Sequence, residues 1–506
     1  MTQHKSAPMI ALLAAIAPLE AVDAAAQGEA STANLKLAAL DISGSTIEPA
    51  LRRAAAPYLG RPASTEQLQA LAKALDAAYG RSDVAIYTID LRSISQQGTL
   101  FVGVREGRVE RLRFSGVTTG VGARVRELAG RLEQADGPLS RRRLHRVLQL
   151  VQAIPGGRVE AFLNAGTKPG GLEIHFQTQA DPNRLALQFN NNGQAFTGRA
   201  QMQLIGQGNS IVRPGDQLGV LLGRNLNGRI RMTAAAYSLP VGADGAVLDL
   251  AAASSASDIA EYRLRGDAYG LSAAVTYPLL LTERDLLSAT ATIAVQGNES
   301  RFAGYRLFRE RTPAARLSLR WRRETGRTAS SVQLTGSHSL PFAQVEVSAP
   351  TADRHFSKWE AQIAHDRLIG RTVALRTRLW GQYSPDALTQ AEAAVLGGDE
   401  FGQAYDAAIL IGDSALAGRV EAAWGPPAKS GRRVELFAAA DAARAYYNER
   451  LLYNSGHFDL ASLGGGVRVQ EGALSTNLSV HRALVSPYQG YEKGWRALVN
   501  VSFSFP

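Results

Sequence analysis

The fold class is decided by the last strand-like stretch of the chain, VNVSFSF at residues 499–505. Apolar and polar residues alternate strictly in it: Val499, Val501, Phe503 and Phe505 against Asn500, Ser502 and Ser504. Because successive side chains of a β-strand point to opposite faces, the stretch predicts a strand with one apolar and one polar face. The alternation extends upstream through most of the chain, to about residue 181.

Several of these upstream stretches carry arginine on the polar face. Residues 287–295, LSATATIAV, alternate apolar residues with serine and threonine, whereas Leu317 and Leu319 alternate with arginines. In a transmembrane β-barrel the apolar face contacts lipid and the polar face lines a wet lumen. The pattern therefore predicts five lumen-lining basic residues: Arg316, Arg320, Arg322, Arg376 and Arg378.

A soluble all-β sandwich would show the same alternation, so alternation alone leaves both folds open. An export signal, the length of the alternating region and its aromatic last strand favour a barrel. A membrane-spanning strand takes about 9–11 residues, and connections take about as many again. Residues 181–506 therefore predict about 16 antiparallel strands.

The N-terminus has the pattern of a secretory signal peptide. Lys5 is followed by an apolar run from Pro8 to Leu19, which is too short to span a bilayer, and then by small residues at Ala24–Ala26. We expect a signal peptide at residues 1–26; a buried helix is the alternative. Within 506 residues there is no cysteine, which excludes disulfides and thiolate metal sites. The net charge of +10 comes from arginines scattered along the chain, so nucleic acid is not an expected partner.

Two small α/β units are predicted between the signal peptide and the barrel. In the first, Ser64 precedes a helix with Leu68, Leu71, Leu75 and Tyr79 on one face, and strands are predicted at 84–91 and 99–104. In the second, strands are predicted from VERLRFSG, RVEAFLNAG and LEIHFQTQ, with one helix in SRRRLHRVLQLVQAIPGG whose apolar face holds Leu144, Val147, Leu148 and Val151.

These two units resemble the POTRA domains of two-partner secretion transporters, the TpsB-type haemolysin secretion/activation proteins. The segments that carry the resemblance are GRPASTEQLQALAKALDAAYG with VREGRVERLRFSG, and LSRRRLHRVLQLVQAIPGGRVEAFLNAG. The resemblance implies POTRA domains at 35–107 and 108–180, followed by a 16-stranded antiparallel transmembrane β-barrel at 181–506. It also implies an outer-membrane protein of a Gram-negative bacterium with its POTRA domains in the periplasm.

The segment VLGGDEFGQAYDAAILIGDSALAGRVEAA, 395–423, resembles the family's conserved lumen loop. The positions that match are Gly397, Gly398, Gly402 and Tyr405. In the family an arginine of this loop pairs with an inner-wall aspartate, which the resemblance places at Asp441. Gln403 stands at the arginine position and cannot form a bidentate ion pair. We therefore expect a weaker anchor, replacement by another arginine such as Arg444 or Arg419, or a loop that is held differently.

The start of the barrel, LALQFNNNGQAFTGR followed by GQGNSIVRPGDQLGVLL, resembles the family's opening hairpin, with turn residues Asn192, Gly193, Gly198 and Asp216. No catalytic or metal constellation is indicated. Gly412-Asp413-Ser414 resembles the start of a serine esterase motif but lacks the helix that should follow. We expect no enzyme activity and no cofactor.

The resemblance implies a translocation pore that exports an unfolded partner exoprotein to the cell surface. The other expected partners are the outer-membrane lipid bilayer and the barrel assembly machinery. An assembly factor that inserts other outer-membrane proteins is the alternative function. A simple diffusion porin is a third hypothesis, in which two POTRA domains would have no role.

Overall fold

The computed structural model describes residues 35–133, 137–340, 345–347, 352–427, 431–450 and 454–505. The predicted signal peptide at 1–26 lies outside these residues. The chain divides between Asp181 and Pro182 into two compact units. In the described part of the chain, no helix is both long enough and apolar enough to cross a membrane.

The first unit begins with an α/β half built on a three-stranded sheet. Its elements are β1 (Ala39–Ser43), α1 (Glu48–Ala55), α2 (Thr65–Gly80), β2 (Tyr87–Ile94) and β3 (Thr99–Glu106), with a 3₁₀ turn at Ala56–Tyr58. The sheet order is β1-β3-β2, and β1 runs parallel to β3. The hydroxyl of Ser64 accepts a hydrogen bond from the amide of Gln67, so it caps α2 as predicted. Leu71, Leu75 and Tyr79 of α2 are buried against the sheet.

The second half of this unit repeats the plan. It contains β4 (Arg108–Gly116), α3 (Val121–Ala129), α4 (Arg141–Gln152), β5 (Gly157–Ala165) and β6 (Gly171–Ala180), with a 3₁₀ turn at Gly130–Leu132. The sheet order is β4-β6-β5. The repeat of the first half's plan implied a helix here, but sequence reasoning assigned no residues to α3, although Val121, Val125 and Leu128 form a helical stripe that is buried. The N-cap residue Gly120 has no side chain to mark the start of the helix.

The two halves are joined by hydrogen bonds around Asp83, which lies between α2 and β2. Its carboxylate accepts hydrogen bonds from the Ser140 hydroxyl at 2.7 Å and from the Arg142 amide at 3.1 Å, at the start of α4. The Arg141 side chain donates to the carbonyl of Gly80 at 2.8 Å. A carboxylate at a helix N-terminus is stabilised by the free amides and the helix dipole. This junction therefore fixes the start of α4 against the first half.

The second unit is a closed antiparallel β-barrel. The strands from residue 184 onward are β7 (Arg184–Asn190), β8 (Gln201–Asn209), β9 (Gln217–Asn225), β10 (Ile230–Val241), β11 (Ala246–Ile259), β12 (Leu264–Leu281), β13 (Asp285–Phe302), β14 (Tyr305–Glu324), β15 (Thr328–Ser339), β16 (Glu346–Val347), β17 (Ser357–Ile369), β18 (Val373–Tyr383), β19 (Ala394–Leu396), β20 (Leu410–Gly412), β21 (Ser414–Trp424), β22 (Arg432–Tyr447), β23 (Gly456–Glu471), β24 (Leu474–Ala483) and β25 (Trp495–Phe505).

Among the described residues sixteen of these strands form the wall, each paired with its neighbours in the chain and with β25 closing on β7. The two-residue β16 extends the wall beside β14, and within the described part of the chain β19 pairs only with β20. Leu317, Leu319 and Phe503 face outward and are exposed. The predicted fold class, two small α/β units followed by a 16-stranded antiparallel barrel, is confirmed.

The closing pair of strands is short, because β25 and β7 pair over only six residues. The side chain of Asn191 continues the pairing: its amide donates to the carbonyl of Ala497 at 2.9 Å, and its oxygen accepts from the amide of Val499 at 2.8 Å. An asparagine amide carries the same donor and acceptor groups as a peptide bond. Asn191 therefore takes the place of one further residue of strand.

The strand connections alternate between the two rims of the barrel, because neighbouring strands are antiparallel. We call the end that holds the connections 191–200, 226–229, 260–263, 303–304, 340–356, 384–413, 448–455 and 484–494 the loop rim. The opposite end, where β7 begins, is called the turn rim and holds connections that are shorter on average: 210–216, 242–245, 282–284, 325–327, 370–372, 425–431 and 472–473. Lumen loop below means residues 384–413.

Candidate functional site: the lumen loop and its anchors

The lumen loop lies inside the barrel. Its Glu392 pairs with Arg316 of β14 and with Lys358 of β17, the latter at 3.1 Å. Its Tyr405 hydroxyl donates to the carbonyl of Ala461 in β23 at 2.8 Å. A segment that contacts strands on different sides of a closed barrel can only occupy the lumen. An apolar cluster that includes Leu396, Phe401, Tyr405, Ala443 and Leu460 packs the β19–β20 hairpin against the inner wall.

Three glycines shape the tip of this loop. Gly397, Gly398 and Gly402 have φ values of +99°, +96° and +83°, in the left-handed region that favours glycine. A Cβ atom at Gly397 would lie 2.4 Å from the carbonyl oxygen of Asp406. The glycines of the sequence motif are therefore needed to bring the two arms of the loop together.

Asp441 lies on the inner face of β22 and is 5% exposed. Its carboxylate accepts a hydrogen bond from the backbone amide of Gly402 at 2.7 Å and from the hydroxyl of Ser462 at 2.6 Å. The side chain of Gln403 donates to the carbonyl of Asp399, 2.9 Å away and within the loop itself. The loop thus contacts Asp441 through its backbone at Gly402.

The two arginines considered as replacements have different positions. Arg444 faces outward and pairs with Asp459 on the neighbouring strand, with contacts of 2.5 and 2.9 Å. Arg419 faces inward and donates to the carbonyl of Asp399 at 3.3 Å and to Glu421 at 2.7 Å. Arg444 therefore has no part in holding the loop, whereas Arg419 contacts it.

An arginine that sequence reasoning missed holds the loop tip. Arg496 of β25 is 8% exposed. Its guanidinium donates to the carbonyl of Tyr405 and, at 3.2 Å, to the carbonyl of Gly193 in the first loop of the barrel. It also lies 3.7 Å from the carboxylate of Asp406, which Arg199 approaches at 3.3 Å. Here the arginine comes from the wall and the aspartate from the loop, the reverse of the arrangement that the resemblance implied.

Tyr405 is the best-buried residue of the motif, with no exposed surface. The hydroxyl shares its single hydrogen between the carbonyls of Ala461 and Val485, which lie 2.8 and 2.7 Å away, and the ring packs against Tyr491. Ala461 lies in β23 near the loop rim, and Val485 and Tyr491 both lie in the connection 484–494. Tyr405 therefore joins the loop tip to one strand of the wall and to one connection.

The five predicted basic residues all lie on inward-facing positions of β14 and β18. Arg316 pairs with Glu392, Arg322 with Glu324 and Arg378 with Asp366. Arg320 makes no ion pair with any residue that the structure describes. The lumen wall therefore carries arginines that are largely paired with carboxylates.

The remaining one, Arg376, belongs to a group of alternating charges. It donates to Glu421 and Glu435, each at 2.7 Å, and Arg468 donates to the same two carboxylates at 2.6–2.8 Å. The ring of Phe437 lies 3.8 Å from the Arg468 guanidinium. Bidentate and shared contacts of this kind fix side chains in a network. The acidic members were not predicted, although both alternate with apolar residues in the sequence.

The predicted opening-hairpin residues lie at both rims. The side chain of Asn192 donates to Asp399 at 2.5 Å, Gly193 accepts from Arg496, and Gly198 has a φ of +105°. All three lie in the connection 191–200, where Asn192 contacts the lumen loop directly and Gly193 contacts it through Arg496. Asp216 lies in the next turn, at the turn rim, where its carboxylate accepts the amides of Ile211, Val212 and Arg213 and the hydroxyl of Tyr237.

The Gly412-Asp413-Ser414 segment is a structural anchor of the lumen loop. Asp413 is fully buried and accepts hydrogen bonds from the amides of Leu388 and Asn448, both at 2.7 Å, and from Arg450 at 2.6 Å. The described residues contain no group of three or more histidine, aspartate or glutamate side chains that could hold a metal ion.

The model of the family described as haemolysin secretion/activation protein ShlB/FhaC/HecB matches residues 171–469, more than half of the chain. The chain belongs to this family. The predicted family membership is therefore confirmed, and with it the function class of a two-partner secretion transporter of the outer membrane. No curated protein matches this haemolysin secretion/activation family member.

Solved structures show the fold over nearly the whole chain, including the two α/β halves of the first unit, of which only β6 lies within the matched range. CdiB from Escherichia coli has a TM-score of 0.81 at 19% identity, covering 93% of this chain and 90% of that chain. CdiB from Acinetobacter baumannii has a TM-score of 0.72 at 15% identity, with the same two coverages. BamA from Haemophilus ducreyi lacking POTRA domains 1–3 scores 0.54 at 13% identity, covering 93% and 100%.

Proposed function

We propose that this transporter exports an unfolded partner exoprotein from the periplasm to the cell surface through the barrel lumen. The observation that carries the proposal is the lumen loop, which lies inside a closed 16-stranded barrel and is held by contacts to separate strands. Asp441 holds it through Gly402, and Arg496 holds it through Tyr405. Release of these two anchors, together with the Tyr405 hydroxyl contacts and the apolar cluster, would free the loop tip, while the contacts of Glu392 and Asp413 keep both ends of the loop on the wall.

The orientation follows from chain connectivity. The barrel begins with β7 at the turn rim, directly after the POTRA units, which we assign to 35–107 and 108–180. We infer that the turn rim faces the periplasm together with these units and that the loop rim faces the cell surface, after removal of a signal peptide at 1–26. Short turns on the periplasmic side and longer loops outside are typical of outer-membrane barrels.

The POTRA sheets supply the capture step. In the orders β1-β3-β2 and β4-β6-β5, the strands β1, β2, β4 and β5 lie at sheet edges. An extended polypeptide can add as a further strand at such an edge through backbone hydrogen bonds. Folding of the cargo outside the cell would then make export directional, so the proposed transport involves no enzyme activity and no cofactor. The aromatic last strand, with Phe503 and Phe505, would be the contact for the barrel assembly machinery.

The experiment removes the first POTRA unit, residues 35–107, and measures the partner exoprotein in the medium. We expect export to be lost while the barrel still assembles, as judged by its heat-modifiable mobility in gels. Unchanged export would refute the capture role of this unit. Depletion of the whole protein separates the two functions: a general fall in outer-membrane proteins would favour the assembly factor, whereas loss of one exoprotein alone supports the transporter.

A further inference from the structure

Two arginines face each other on the outer wall of the barrel, close to the loop rim. Arg224 of β9 and Arg231 of β10 are directly opposite in the antiparallel register, and both are exposed. Alternation places them on the same side as Val220 and Leu222 of β9, which are exposed apolar residues of the outer wall. Opposed residues of antiparallel strands have Cβ atoms about 5 Å apart, so two like charges repel at this position.

Neither guanidinium is neutralised within the described chain. No described residue forms a hydrogen bond or ion pair with the side chain of Arg224 or Arg231. The nearest acidic residues on the same face are Asp258, which pairs with Arg265 at 3.2 Å, and Asp267, which lies two strands away from Arg231. Two opposed and unpaired guanidinium groups provide ten N–H donors for one anion, and phosphate matches their geometry.

An apolar groove lies below this pair on the same outer face. It is a shallow, open depression of about 470 Å³, and its outward-facing lining includes Ala235, Leu250, Ala252, Leu271, Ala273 and Ile293. The alanines form the floor, and Leu250, Leu271 and Ile293, which are 45–61% exposed, form ridges beside it. Ala235 is four residues beyond Arg231 on the same strand face, a distance of about 13 Å at 3.3 Å per residue. The groove therefore begins about 13 Å from the arginines along the barrel wall, which is within the length of one lipid acyl chain.

We propose that Arg224 and Arg231 bind the phosphate headgroup of an anionic lipid and that the groove over β10–β13 holds one of its acyl chains. The charge of the pair selects the headgroup, and an apolar groove about 13 Å further along the same outer face, beyond Thr233 and Ser254, selects a lipid with a long acyl chain over a free anion. The site lies in the leaflet at the loop rim, which is the outer leaflet in the orientation given under Proposed function; lipid binding itself does not depend on that orientation.

The position of the site links it to the lumen loop. Arg224 is followed by Asn225, which is fully buried and donates to the carbonyls of Thr197 and Gly198 at 3.0 and 2.7 Å. Those carbonyls belong to the connection 191–200, in which Asn192 and Gly193 contact Asp399 and Arg496. A lipid bound at Arg224 would therefore brace the connection that holds the loop tip.

The test measures lipid retention by native mass spectrometry of the full-length protein, titrated with a bis-phosphorylated lipid A. The variant is Arg224→Gln with Arg231→Gln. The matched control is Arg367→Gln with Arg371→Gln, which removes two exposed arginines near the turn rim. Each basic residue near an anionic lipid surface adds binding free energy, so loss of two arginines should weaken the lipid affinity by about 30-fold. We expect this loss in the first pair and less than about 3-fold in the control.

Three results would overturn the proposal. Equal retention by wild type and the Arg224/Arg231 variant would refute the headgroup site. An equal loss in both double variants would show a general charge effect. Competition by inorganic phosphate at the same concentration as the lipid would show a free-anion site instead. Ala252→Trp tests the groove: it should weaken lipid A binding without changing the weak binding of inorganic phosphate. Heat-modifiable mobility confirms that each variant has assembled.

Discussion

Removal of the Arg496 side chain should release the tip of the lumen loop. In the wild type its guanidinium donates to the carbonyls of Tyr405 and Gly193 and lies 3.7 Å from Asp406. Arg496→Ala leaves both carbonyls without this donor in a buried site. An unsatisfied buried polar group costs about 1–3 kcal/mol, and water that enters the lumen offsets part of this. We call the barrel with the lumen loop bound inside the loop-in state, and the barrel with the loop tip released the loop-out state. We therefore expect the loop-in state to lose about 2–4 kcal/mol of stability relative to the loop-out state.

This loss corresponds to an increase of about 30-fold to several-hundred-fold in the loop-out population, since 1.4 kcal/mol is a factor of ten. The assay is single-channel recording in planar lipid bilayers, where the frequency of large openings reports the loop-out population. The matched control is Arg482→Ala, which removes an arginine from the neighbouring strand that faces outward and stacks on Trp495. The control should leave the opening frequency unchanged.

A double-mutant cycle with Asp406→Asn separates the ion pair from the carbonyl contacts. Because Arg199 also pairs with Asp406, we expect the coupling between Arg496 and Asp406 to be smaller than the effect of Arg496→Ala alone. An assembled Arg496→Ala protein that opens no more often than wild type would refute the reasoning. It would mean that Asp441 and the buried Tyr405 hold the loop without help from the wall arginine.

Two further predictions concern other junctions. Gln403→Arg should lower the opening frequency and raise the melting temperature, because a guanidinium could reach the carboxylate of Asp441; no change in either would assign the anchor to Arg496. At the junction of the two α/β halves of the first unit, burial raises the pKa of Asp83, but hydrogen bonds from Ser140 and Arg142 outweigh it and hold the pKa below its usual value. A carboxylate with a lowered folded-state pKa stabilises the fold above the unfolded pKa of about 3.9 and loses this effect as the pH falls further. Asp83→Asn should therefore weaken amide protection at the junction in hydrogen exchange, after correction for the intrinsic rate, by the same factor at pH 6 and pH 8; a factor that changes between these pH values would contradict the assignment.

Most of the fold could be predicted because it depends on short-range periodicity. The alternation around Val499–Phe505 fixes which side chains share a strand face, and the stripe at Leu71, Leu75 and Tyr79 fixes a helix face. The number of strands could be predicted from the length of the alternating region, because the thickness of a bilayer sets how many residues each strand needs. The helix α3 was missed where these local signals are weakest, with Gly120 as its N-cap.

The site could be predicted only in part. The glycines and Tyr405 of the lumen loop have a recognisable spacing, and Asp441 was placed through the family resemblance. Arg496 had no such signal, because 90 residues separate it from Asp406 in the chain. Arg444 was a candidate from the sequence, but it lies three residues after Asp441 on β22. Because side chains alternate along a strand, Arg444 points to the outer wall while Asp441 points to the lumen.

The sequence by itself determined which face each strand residue occupies and that the chain forms a barrel behind two α/β units. Tertiary structure alone decided which inward-facing residues meet. Alternation is a property of one strand, whereas ion pairs such as Arg376 with Glu435 depend on the register between strands and on the path of a loop through the lumen. Hydrogen bonds require positions fixed to a few tenths of an ångström, and only closure of the barrel brings Arg496, Tyr405 and Gly193 together at that precision.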